Sequence, residues 1–116
     1  MSDEDLIKAA AEEVLGQRLV CDNGNCMLID EEGIIVTLHW DPTLKKNSAQ
    51  TDMLRDKLVE MGCQVDESVR QNRQIVQIIY TGTIALKKEP YNPKGWNKTR
   101  TQAYVEAVRS LRKGEV

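Results

Sequence analysis

"RLVCDNGNCMLIDEEGIIVTLHW", residues 18–40, decides the reading of this chain. Its Asn23-Gly24 pair is the strongest short signal for a two-residue hairpin, because both central positions of a type I′ turn need positive φ. With that pair at the tip, Asp22 faces Asn25 and Cys21 faces Cys26. "RLVC" and "CMLID" become antiparallel strands, and "DEEG" turns the chain again into "GIIVTLHW". That is a β-meander. Facing cysteines in such a ladder lie roughly 4.5 Å apart at Cα, the short end of disulfide geometry, so a strained bridge is within reach. In a reducing cytosol two thiols are expected.

Helical patterns flank the meander. Residues 4–15 place Leu6, Ile7, Ala10, Ala11, Val14 and Leu15 at helical spacing, with Ser2 or Asp3 as cap and Gly16 as terminator. After "DPTLKKNS", a second helix over about 49–61 presents Met53, Leu54, Leu58 and Met61, and Gly62 ends it. "CQVDESV" and "QIVQIIYTG" read as strands across "RQNR", with "TIALKK" as a short extension. A last helix starts near Thr99 to Thr101 and aligns Tyr104, Ala107, Val108 and Leu111.

The order α-βββ-α-ββ-α, with strands linked by hairpins, predicts an α+β fold with a mainly antiparallel sheet between helices, an α-β-α sandwich. The runs "GIIV" and "IVQIIY" alternate poorly, which predicts a sheet covered on both faces. The 116 residues suit a single domain, 1–116. The longest apolar runs are too short to span a bilayer and the acidic N-terminus does not read as a secretion signal, so no membrane and a cytoplasmic location are expected.

Charge is unevenly spread. Residues 1–86 carry eight Lys/Arg against fifteen Asp/Glu, whereas residues 87–113 carry eight against two. A mostly acidic surface makes nucleic acid an unlikely partner. A confined basic patch suits a small anion or an acidic protein. Cys21, Cys26, Cys63 and His39 lack the paired spacing of a zinc site, and Cys63 with His39 makes a weak nucleophile pair. No P-loop, Rossmann glycine pattern or nucleophile elbow is present, so neither metal, cofactor nor catalysis is expected. Trp40, before Asp41-Pro42, reads as a core or turn anchor.

The elements "AAEEVLGQ", "HWDP" before "AQTDMLRDKLVEMGCQV", "QIVQIIYTG" and "TRTQAYVEAVRSL" together resemble the phage ABA-sandwich proteins, small phage and prophage products. The resemblance covers nearly the whole chain in element order. Many of those proteins carry an aromatic residue where Gln17 stands here. Some phage proteins of this type are similar to the Thoeris anti-defence sponges, which bind a cyclic ADP-ribose-like signal and withhold it from a host immune effector. The resemblance implies a non-enzymatic, nucleotide-binding homo-oligomer in the host bacterial cytoplasm.

Chemistry alone points to "KKEPYNPKGWNKTRTQAYVEA", residues 87–107. A nucleotide-like anion needs cations for phosphate, for which Lys94, Lys98 and Arg100 qualify. It needs an aromatic face, which Tyr91 or Trp96 supplies. Asn92, Asn97 and Thr99 offer amides or hydroxyls for a base edge or ribose. Arg109 lies about two and a half turns past Arg100 and faces roughly the other way, so it joins one ligand only if a second subunit contributes it. The same loop also reads as a solvated connection, and the acidic 1–86 surface suits a protein–protein inhibitor or adaptor acting on a host protein.

Overall fold

At three hairpin tips both central residues take positive φ: Asn23-Gly24, Gln71-Asn72 and Thr81-Gly82. Asparagine and glycine tolerate that region well; β-branched Thr81, at φ 46°, does so under strain. These tips place the strands in the computed structural model, which describes residues 1–114. β1 (Arg18–Asp22) pairs antiparallel with β2 (Asn25–Ile29), and β2 with β3 (Ile35–Thr37). Cys21 and Cys26 are register partners with Cα atoms 4.0 Å apart and are joined in a disulfide, where two thiols were expected.

The second half repeats the scheme. β4 (Gln64–Arg70), β5 (Arg73–Tyr80) and β6 (Thr83–Pro90) pair in chain order, all antiparallel. The strands therefore form two three-stranded sheets, and "TIALKK" belongs to a full eight-residue strand. The α+β class and the antiparallel pairing follow the sequence reading; the sixth strand and the division into two sheets go beyond it.

Helix α1 (Asp3–Ala9) has Ser2 as cap, its Oγ accepting from the Asp5 N–H. It continues as a π-helical stretch, Ala10–Val14, whose widened ring shows in the Leu15 N–H donating to the Ala10 carbonyl. Ala9, Ala10 and Ala11 are buried, and small side chains let that wider backbone pack closely. α2 (Ser48–Glu60) buries Thr51, Leu54 and Leu58, while Met61, expected on that face, is half exposed. α3 (Trp96–Gly114) begins earlier than expected, because Pro93 opens a 3-10 turn that runs straight into it.

α3 holds the molecule together. Tyr104, Val105, Val108 and Leu111 are buried, each worth roughly 1.5–3 kcal/mol against exposure. Trp40 is buried as the sequence suggested, its indole N–H donating to the Ile7 carbonyl at 3.1 Å. The inner face of the second sheet carries Val65, Glu67, Gln74, Val76, Ile78 and Ala85. Its outer face carries Ile75, Ile79, Ile84 and Leu86, and Ile84 is 63% exposed. The cover expected on both faces is absent there among the described residues. No helix is long and apolar enough to cross a membrane among the described residues.

Candidate functional site

The loop around Pro42 fixes where α3 starts. The Asn97 amide donates to the carbonyls of Pro42 (2.7 Å) and Leu44 (2.8 Å), and the hydroxyls of Thr51 and Thr101 lie within 3.1 and 2.8 Å of the Pro42 oxygen. The start of α3 is thus tied to α2. The Tyr91 N–H donates to the Asn72 carbonyl, tying the segment before α3 to the β4–β5 turn. Between these anchors lies a cleft of about 660 Å³.

Its wall is a charged network under α3. Arg100 is 4% exposed, and its Nε and Nη2 meet the two carboxylate oxygens of Glu67 while Nη2 also donates to Asp52 at 2.8 Å. Glu67 receives two further bonds, from Gln74 Nε2 (3.0 Å) and the Tyr104 hydroxyl (2.8 Å). Four donors saturate that carboxylate. Burial works against the charge of Arg100, but the bonds from Glu67 and Asp52 outweigh it and hold the guanidinium above its ordinary pKa. Burial first, then the Glu67 charge, pushes the Tyr104 phenol up as well.

Over this network sits an aromatic edge. The Trp96 ring centroid lies 5.0 Å from the Arg100 guanidinium carbon, a cation–π contact, and Tyr91 also lines the cleft. Arg55 reaches the mouth from α2; its ion pair, with Asp56 at 3.8 Å, is at the surface and binds it weakly. Ser48, the first residue of α2, lines the same space, and that helix has no acidic residue in its first turn. Gln74 lines the cleft at 1% exposure, and its Oε1 receives no hydrogen bond from the protein.

Of the candidates from the sequence, Tyr91, Trp96 and Arg100 meet at this cleft. The others stand apart from its lining. Asn92 Oδ1 accepts from the Lys94 N–H and Thr99 Oγ1 donates to the Gly95 carbonyl, so both serve the local turn. Lys94 is exposed, and Lys98 pairs with Asp3 at 2.6 Å. Arg109 is bound through Nε and Nη2 to Glu13, at 2.8 and 2.7 Å, on the α1 side. That hydrogen bond holds the Glu13 carboxyl below its ordinary range. Arg100 itself turns Nε and Nη2 to carboxylates and Nη1 to Asn97 Oδ1 at 3.4 Å, which leaves Arg55, among the described residues lining the cleft, as the cation open to an anion.

Sequence reasoning missed Arg55, Glu67 and Gln74. A signal existed for two of them: Gln74 shares strand parity with Val76 and Ile78, and Glu67 sits between Val65 and Val69, so each is a polar residue at an inward position. Among the described residues no group of three or more His, Cys, Asp or Glu side chains is placed to hold a metal ion. Comparison with protein-family models, curated proteins and solved structures found no match to this chain.

Proposed function

We propose that this chain captures a small, planar, anionic ligand of nucleotide type in the cleft and performs no chemistry on it. One observation carries the reading: Trp96, Tyr91, Arg55 and Gln74, whose buried amide oxygen is unpartnered, line one space. Stacking on an aromatic ring suits a base, and Arg55 beside the start of α2 suits a phosphate. The binding role is favoured over catalysis because Arg100, Glu67 and Tyr104 satisfy one another, leaving no poised base among them. Sequestration of a signal in a bacterial host, the role implied by the phage sandwich proteins, is the biology we attach to it.

The test is isothermal titration with a panel of mononucleotides and cyclic nucleotides on the wild type, Trp96→Ala and Arg55→Ala. Binding that weakens in both variants supports the reading. A folded wild type that binds none of the panel sinks it.

A second reading is favoured by the open apolar face of the second sheet, where Ile84 and Leu86 are exposed. Such a face suits another copy of the chain or a host protein. Light scattering and pull-down from a bacterial lysate separate those partners from a monomer.

A further inference from the structure

We infer that Gln74 is a specificity-determining acceptor that selects ligands whose ring edge carries an N–H donor. This rests on the capture reading above and says which planar ligand the cleft prefers.

The orientation of the amide follows from its neighbours. Gln74 Nε2 lies 3.0 Å from Glu67 Oε1, an ionised carboxylate oxygen that can only accept. Glu67 is itself immobilised by Arg100 and by the Tyr104 hydroxyl. Turning the amide over would set oxygen against oxygen, so Nε2 stays on Glu67 and Oε1 is a fixed acceptor. Gln74 is 1% exposed and Oε1 receives nothing from the protein. Its cross-strand neighbour on the same face, Glu89, donates no hydrogen bond to it.

A buried acceptor left unpaired is unfavourable, and a ligand that supplies a donor recovers that loss whereas one that does not leaves it in place. The Arg100–Glu67–Tyr104 network thus has a purpose beyond stability. It holds in a single direction the amide of a residue that lines the same cleft as Tyr91 and Trp96.

The test compares adenosine 5′-monophosphate with purine riboside 5′-monophosphate, which differ by one amino group, in titrations against the intact chain. The expected result is tighter binding of the amino-bearing nucleotide by about tenfold or more. Gln74→Met, close in shape but without the acceptor, should bring the two affinities together; circular dichroism checks its fold. The ligand pair on the wild type judges the inference even if that variant does not fold. Equal affinities for wild type overturn it while leaving capture intact, as does a preference that persists in folded Gln74→Met. Binding of neither nucleotide overturns this inference, while the capture reading is judged separately by the full panel of mononucleotides and cyclic nucleotides.

Discussion

The two faces of the second sheet invert the usual arrangement. At its loop end the inner face holds Glu67, Gln74 and Glu89 beneath α3, while the outer face shows Ile84 and Leu86 to solvent. Along β5 the inner side returns to Val76 and Ile78, so the polar layer occupies only part of that face. Burying a carboxylate is expensive unless donors surround it, and here four of them do. The inner face spends stability on a fixed arrangement of charges. The outer face keeps apolar surface that folding of the single chain leaves uncovered. A structure organised only for monomer stability would have exchanged the two.

Removing one side of the buried pair should break the comparison most severely. Arg100→Met leaves Glu67 charged under α3 and is expected to lower stability by roughly 3–5 kcal/mol in urea unfolding. Arg100→Met with Glu67→Met should recover most of that loss. If the single and double variants are equally unstable, the inner network is not a mutually dependent unit.

Trp96→Ala bears on the cleft and much less on the core. Loss of one stacking partner should weaken nucleotide binding by about 1–3 kcal/mol, measured by titration, with a much smaller shift in melting temperature. An unchanged affinity would place the ligand elsewhere.

The sheet's far polar group gives a pH dependence. Burial, then the hydrogen bond with Glu106, raises the Glu89 carboxyl to about 7, while that bond lowers Glu106; Lys87 and Arg73 act in the lowering sense on Glu89. Lys87 Nζ is 3.4 Å from Glu106. A raised folded pKa means that Glu89's contribution is fully present below its unfolded pKa and lost as pH rises through about 7. Melting should therefore show a decline from pH 5.5 to pH 8. Glu89→Gln, neutral throughout, should gain about 1 kcal/mol at pH 8, since water at the rim screens the pair, and little at pH 5.5. A wild-type profile flat across that window would remove the shared proton.

On the outer face the expected effect is smallest. Ile84→Thr with Leu86→Thr should change monomer stability by no more than about 0.5 kcal/mol while reducing any self-association seen by light scattering. A large loss of stability would show that this face is covered in the native assembly.

Much of the fold was legible because its signals are local. Asn23-Gly24 fixed one hairpin by turn chemistry alone, and Gly16 and Gly62 stand at φ 66° and 94° after the helices they end. The strand β6 was read only as a short extension, "TIALKK", because its charged end looks like a solvated tail; pairing with β5 carries it through Glu89 to Pro90. The candidate site was legible only in part. Tyr91 and Trp96 were found by residue type. The use of Arg100 was not, since its partners Glu67 and Asp52 lie 33 and 48 residues away, and sequence spacing carries no information about that meeting. The divergence of Arg100 and Arg109 needed only helical geometry, and they do face different partners.

Every strand pairs with its neighbour in the chain, so both sheets can close without waiting for distant sequence. The last helix has no such freedom. During synthesis Glu67 leaves the ribosome 33 residues ahead of the arginine that neutralises it, an interval of roughly two to seven seconds at ordinary elongation rates. In that interval the nascent chain can hold paired strands and an unmatched carboxylate, with no lid above them. Arrival of the C-terminal helix brings the missing charge and the missing cover in one event. For this chain, closure of the charged layer is timed by the arrival of α3.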